Sequence, residues 1–393
     1  MKLKLYSLIR PGINRWLVCL LFLTGLLTTN LFAQTTLIDP AGDGGFNNGS
    51  TFGTNGWTIA NSAAVNQWVV GSSTVTGMNA PFSGNKAYVS NDAGASNSYN
   101  NTIIAVNYFY RDVTIPLGEP YLLYSFNWVC TGESTWDMIQ VFVAPTSVTP
   151  TPTTTYPGSG LNVTNLVGAT FINAYNLQAT VQTASGVLVG TPGSTVRIIF
   201  GWKDDGSGGS APGGSVDNIS LVSTATLPTI TANAGGGLWS SPATWAGGTV
   251  PSGTNVSIPA GAVVTVDQIT AANNIDIGGT LQWNGTANAM SLTGNLTINP
   301  GGKFLPYTTA AGGTTGITVN IGGNLTNNGY ANLAVGTTTQ TLINFNSAGA
   351  TLGGSGVFEG DGTRGIIRQL VFQNLNSNSI LTSQPLTTFR FAA

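Results

Sequence analysis

Tyr121-Leu-Leu-Tyr-Ser-Phe-Asn-Trp128 puts Leu122, Tyr124, Phe126 and Trp128 on one face of an extended chain, with Ser125 and Asn127 on the other. Successive side chains of a strand point to opposite sides, so this period of two is the mark of a half-buried strand. The same reading holds at 138–143, where Ile139, Val141 and Val143 share a side, and at 195–202, where Val196, Ile198, Phe200 and Trp202 do. Such runs recur between turn clusters from 34 to 223, without a helical stripe among them. They predict an all-β fold for this half, a two-sheet antiparallel β-sandwich. The stretch Pro145-Thr-Ser-Val-Thr-Pro-Thr-Pro152 reads as a long surface loop, because proline cannot donate to a ladder.

After this half the grammar changes. Residues 224–234, with Pro228, read as a linker, and short apolar dyads, paired glycines and asparagines fill 235–393. Asn274-Ile-Asp-Ile-Gly-Gly-Thr-Leu281 is echoed by Asn295-Leu-Thr-Ile-Asn-Pro-Gly-Gly302 and then by Asn324-Leu-Thr-Asn-Asn-Gly329. Units this short cannot bury an apolar face alone and must stack on one another. The predicted architecture is a right-handed parallel β-helix, with Gly and Asn at corners that need positive φ. A second ordinary sandwich is the competing reading.

Composition narrows the function. The chain of 393 residues is 7% charged, against about 25% in an ordinary soluble domain, and it contains no histidine. That removes the commonest general base, the His-dependent triads and His-based zinc sites. Residues 1–33 read as a signal peptide. Lys2, Lys4, Arg10 and Arg15 give a basic start, 16–27 is almost wholly apolar, and Leu31-Phe32-Ala33 resembles a cleavage site. An apolar run this short makes a poor permanent span, so no transmembrane anchor is expected in the mature chain. The destination read from it is secretion or the outer cell surface. Cleavage would remove four of the 12 basic residues and none of the 14 acidic ones, leaving a net charge of −6. Without a Lys/Arg run, nucleic acid is not an expected partner. Cys130, the one cysteine beyond 33, reads as a small buried hydrophobe.

Several motifs carry a family resemblance. They are Gly44-Gly-Phe46, Asn55-Gly-Trp57, Asn66-Gln-Trp68 with Gly71, Ala87-Tyr-Val-Ser-Asn-Asp92, Gly132-Glu-Ser-Thr-Trp-Asp137, Phe200-Gly-Trp-Lys-Asp-Asp205 and Val216-Asp-Asn-Ile-Ser-Leu221. In this order, over 37–223, they resemble the jelly-roll domain of the choice-of-anchor and cleaved-adhesin type found in secreted Gram-negative surface proteins. That resemblance implies adhesion, contact with glycan or matrix, and no intrinsic catalysis. Gly237-Leu-Trp-Ser-Ser-Pro-Ala-Thr-Trp-Ala-Gly-Gly-Thr-Val-Pro251, with Ser257-Ile-Pro-Ala-Gly261 and Val264-Thr-Val-Asp267, looks like the start of an eight-glycine β-helix leader. Trp239 and Trp245 would then cover the open end of the stack.

Trp57, Trp68, Trp136 and Trp202 are candidate stacking platforms for a sugar ring, and Trp136 is the one expected at the surface. Burial in the core is the competing reading for a tryptophan, and Trp202 lies on the apolar face traced above. Glu133 and Asp137 flank Trp136 as candidates for ligand or ion binding, against plain structural hydrogen bonding. A rival reading makes them the acid and base of a glycosidase. Period two puts Asp217 on the side of Ile219 and Leu221, where a buried carboxylate needs a partner. One reading is calcium, held with Asp39, Asp43 or the backbone; the other is a strand-end carboxylate that caps turn amides or pairs with Arg197 or Lys203. Asp204-Asp205 reads as solvated turn chemistry. In the second half Asp267, Asp276, Glu359 and Asp361 form no adjacent pair, and Arg364 and Arg368 read as surface partners of Asp361.

No catalytic residue is assigned. The function these readings favour is a secreted or surface-displayed, non-enzymatic, adhesin-like protein that binds extracellular glycan or matrix. The alternatives are a polysaccharide-degrading enzyme and a purely structural surface or filament component. Ile366-Ile-Arg-Gln-Leu-Val-Phe372 and Ile380-Leu381 still look like coil strands. The chain is therefore expected to be the front of a longer protein, incomplete at its C-terminus, or to self-associate through the open β-helix end.

Overall fold

Alternation in the first half becomes two antiparallel sheets. The computed structural model describes residues 34–72, 82, 84–155, 158, 160, 166–284, 289–305, 317–335, 339–360, 371–374, 382–383 and 388–391. The export segment read at 1–33, the Asp361, Arg364 and Arg368 group, and residues 366–370 and 380–381 lie outside them. The strands of this half are β1 (Gln34–Ile38), β2 (Thr58–Ala60), β3 (Gln67–Ser72), β4 (Asn85–Ser90), β5 (Ala105–Thr114) and β6 (Tyr121–Cys130). Then come β7 (Met138–Pro145), β8 (Thr170–Tyr175), β9 (Gln178–Val189), β10 (Thr195–Asp204) and β11 (Ser215–Thr224). One sheet runs β3-β4-β11-β6-β9, with β1 also on β11, and the other runs β2-β5-β10-β7-β8. Successive strands cross repeatedly between the sheets, as they do in a jelly roll.

The alternating faces named above meet between the sheets. Phe126 of β6 and Phe200 of β10 touch edge to face at 5.1 Å, and Phe200 stacks on Phe109 of β5 at 4.9 Å. Trp57, Trp68 and Trp202 belong to this core, 3%, 1% and 0% exposed. Cys130 is fully buried there as well. β11 breaks the period. Its register with β6 shifts between Asp217 and Ser220, and Asn218 takes a φ of 51°. The extra residue keeps Val216, Ile219 and Leu221 in the core and turns Asp217 to the opposite side, which corrects the face read from simple alternation.

The second half is a coil of three parallel sheets. One stacks Thr229–Thr231, Asn255–Ile258, Ile275–Ile277, Leu296–Ile298, Leu325–Asn327, Thr351–Gly353 and Thr382–Ser383. A second begins Gly236–Leu238, Val263–Val266, Thr280–Trp283, and a third Thr270–Ala272, Ala289–Leu292, Ile317–Ile321. Thr229–Thr231 lies inside the stretch read as linker, yet it already pairs with Asn255–Ile258. The repeated asparagines have a mechanical role. Asn274 Oδ1 accepts from the Asn295 amide at 2.7 Å, Asn295 Oδ1 from Asn324 at 2.8 Å, and Asn324 Oδ1 from Thr351 at 2.8 Å. Each side chain thus ties one turn to the next.

The corner glycines serve two purposes. Gly301 has a φ of 85°, the conformation expected of it. Its neighbour Gly302 is required by crowding instead, since a Cβ there would overlap the Ile277 carbonyl of the preceding turn. Trp239 and Trp245 are buried against the first turn, 5.0 Å apart and edge to face, and the Trp245 indole donates to the Trp239 carbonyl at 2.8 Å. Among the described residues no helix is long and apolar enough to cross a membrane.

Candidate functional site

One end of the sandwich brings Asp137, Asp204 and Asp205 together. A tight turn joins β6 to β7, with Glu133 and Asp137 exchanging backbone hydrogen bonds at 3.1 and 3.2 Å and Thr135 at a φ of 68°. The hairpin aims Asp137 at the end of β10. There its carboxylate comes within 4.8 Å of those of Asp204 and Asp205.

Each carboxylate has its own environment. Asp137, fully buried, accepts from the Tyr99 hydroxyl at 2.7 Å. Burial pushes its carboxyl up to about 6, and the Tyr99 hydrogen bond works against that rise. Asp204, also fully buried, accepts from Asn66 Nδ2 at 2.7 Å and from the Gly206 amide at 2.9 Å. Burial, and then the Asp137 charge beside it, push its carboxyl up to about 8. Asp205 is half-buried and caps Ser207 through the amide at 3.0 Å. Gly209 closes the site from the loop: a Cβ there would overlap both the Tyr99 hydroxyl and Asp137 Oδ2.

A cation completes this end. Lys203 Nζ donates to the carbonyls of Thr135 at 2.8 Å and Gly160 at 2.9 Å, and it stands 5.8 Å from the Trp136 ring centroid. Burial lowers its pKa, against the pull of Asp205 and Asp137. Trp136 is half-buried at this rim, unlike Trp57, Trp68 and Trp202, whose rings are enclosed and offer a sugar no face. Glu133 is half-buried beside it, so three of the residues singled out in the sequence do share one place.

Asp217, Asp39 and Asp43 do not converge as a group of three carboxylates. Asp43 accepts from the Asp39 amide at 2.7 Å and pairs with Arg111. Asp39 caps the Ala41 amide at 2.9 Å. Asp217, turned by the bulge to the other face of its sheet and still fully buried, has Lys86 of β4 as its charged neighbour, not Arg197 or Lys203. Burial pushes the Asp217 carboxyl up to about 7, against the Asn218 amide, which donates to its Oδ1 at 2.7 Å as a turn cap would, and against the Lys86 charge. Burial lowers the Lys86 ammonium to about 8, against the Asp217 charge. Arg197 is committed to Asp112 at 2.7 and 2.9 Å. The three carboxylates that do converge are Asp137, Asp204 and Asp205, each offering one oxygen within 4.8 Å of the others. Asp204 corrects the solvated-turn reading. Its signal was in the alternation itself, because Asp204 continues the buried series Val196, Ile198, Phe200, Trp202. Tyr99 and Asn66 carried no comparable signal.

No protein-family model matches the chain, and no curated protein matches it. Among solved structures the chain is similar to a carbohydrate-binding module, TmCBM61, in complex with β-1,4-galactotriose. The identity is 10% and the TM-score 0.28, over 47% of this chain and 97% of that one. It is also similar to a cyclase from Fischerella sp. TAU, with 15% identity and a TM-score of 0.30, over 49% of this chain and 98% of that one.

Proposed function

We propose that this is a non-catalytic, adhesin-like protein of the choice-of-anchor and cleaved-adhesin kind, exported to the cell surface or beyond, whose sandwich binds extracellular glycan or matrix while the coil serves as its stalk. The observation that carries the reading is the sorting of the tryptophans. Three of the four candidate platforms lie inside the core, and Trp136 is half-buried next to Glu133 and Asp137 in the chain, with the buried Lys203 ammonium 5.8 Å from its ring centroid. A ring beside neutral and charged hydrogen-bonding groups is the chemistry that holds a pyranose, whose faces are flat and partly apolar. In this reading Asp137 is a positioning residue, because Tyr99 and the Asp205 amide engage its two oxygens. Calcium, the cofactor the sequence suggested, belongs in this reading with Asp137, Asp204 and Asp205.

A glycan array followed by a reducing-sugar assay on the bound glycans tests the proposal. Binding without release of product, weakened about tenfold or more in Trp136→Ala, is the expected result. Product release that Glu133→Gln abolishes would make the protein a polysaccharide-degrading enzyme. An array without any bound glycan would favour the purely structural alternative.

A further inference from the structure

A second feature lies where the sandwich meets the coil. The β9 edge approaches the side of the coil, and Ser252 Oγ donates to the Ser185 carbonyl at 3.1 Å. Two cavities, of about 660 and about 400 Å³, flank this contact and share Tyr124, Ser185 and Ser252. Volumes of this order, at a boundary between two folded units, are where ligands are commonly held.

The lining chemistry is selective. The residues around the larger cavity include neutral amides and hydroxyls, Asn173, Gln182, Thr183 and Gln268 among them, and no acidic or basic side chain. The smaller cavity has no acidic or basic side chain in its wall either. Asp267 is close by, but its carboxylate is engaged by the Ser240 hydroxyl and amide. Apolar patches alternate with these polar groups: Tyr124 and Ile172 on the sandwich side, and Ile269, 72% exposed, on the coil side. β9 is also an edge, paired among the described strands with β6 alone, so its outer backbone groups face the cleft.

We propose that this inter-domain cleft is a binding site for a neutral oligosaccharide, separate from the Trp136 rim; the proposal rests on the glycan-binding reading and adds a site to it. A neutral ligand rich in hydroxyls matches walls that offer amides, hydroxyls and backbone groups without a charge to pair. An ionic ligand would lose its hydration there for no opposite charge in return. An extended peptide is the other occupant of a strand edge, but the polar stretch of β9 in the cavity wall, Gln182 to Ser185, is only long enough for a short pairing.

The test uses the full mature chain and an array of neutral and uronate-containing oligosaccharides. Thr183→Trp adds bulk at an exposed position of the wall, at the cost of the Thr183–Asn127 hydrogen bond, and Gln182→Ala removes a lining amide that donates to the Thr180 carbonyl in the free chain. Neutral glycans should bind, with Thr183→Trp losing about tenfold or more. Gln182→Ala should lose roughly three- to tenfold, the worth of a hydrogen bond. Thermal melts of both variants should match the parent. Trp136→Ala should keep this component of binding. If only Trp136→Ala weakens binding, the cleft proposal fails and the rim reading stands; if only the cleft variants weaken it, the reverse holds. Binding confined to uronates, or a peptide array captured in place of neutral glycans, also overturns the cleft proposal.

Discussion

In the metal-free chain Asp204 holds its proton across neutral pH, because its carboxyl has left water while Asp137 lies beside it. In the unfolded chain the same group takes its ordinary value of 3.8. The folded state therefore binds the proton more tightly, and this contribution to stability is complete below about pH 4. It is lost as pH rises, at about 1.4 kcal/mol per pH unit for each such carboxyl, until the folded value is passed. Asp137 reaches that point near about 6, Asp217 near about 7 and Asp204 near about 8. With a chelator present, melting temperature should consequently fall between pH 5 and 8, and Asp204→Asn should flatten the decline from 7 to 8. A melt that rises over this interval would contradict the proton assignment. Lys86 titrates in the opposite sense: its lowered value adds stability only as pH climbs above about 8. Lys86→Met removes the positive charge beside Asp217, so the Asp217 carboxyl should titrate at higher pH in that variant than in the parent, as followed by its carboxyl resonance.

At the level of the repeated turn, the coil is held in register by asparagine side chains and by backbones that pass too closely for a Cβ. The two glycines of one corner separate these effects. Gly301→Ala meets open space and bears only the left-handed backbone penalty, about 1 kcal/mol. Gly302→Ala must push the Ile277 and Asn299 carbonyls away, a disruption of about 3 kcal/mol or more. Thermal melts of the two variants should show that order. Equal effects would mean that the successive turns are not packed as closely as the corner requires. The same logic explains the asparagine spacing: the ladder needs one amide acceptor per turn, while the intervening loop is free to vary in length.

Across the molecule the two halves have separate interiors. The sandwich core and the coil core share no residue, and the boundary between them carries the Ser252–Ser185 hydrogen bond and the cleft. Units with their own cores should unfold in their own transitions. Calorimetry should resolve two heat-absorption peaks, with Asp204→Asn moving one and Gly302→Ala the other. A single peak moved by both substitutions would show that the boundary couples the halves far more strongly than its contacts suggest.

Local periodicity was enough to locate β6, β7 and β10 and to mark the coil turns, because alternation and the Asn ladder are both written in neighbouring residues. The all-β character and the change of architecture after β11 follow from that same local pattern. Even the burial of Asp204 was implicit in the alternation of β10. Three things depended on tertiary structure. Asp217 changed sides because a bulge is set by pairing with β6, across some 90 residues of chain. Trp136 parted from Trp57, Trp68 and Trp202 because an indole suits a core and a rim equally well, and only the packed sheets decide which it meets. The acidic end needed residues as distant as Asn66 and Asp204 to converge, and the cleft needed the sandwich edge to lie against the coil. Such long-range meetings leave no period in the sequence, since they arise from how the sheets close on one another.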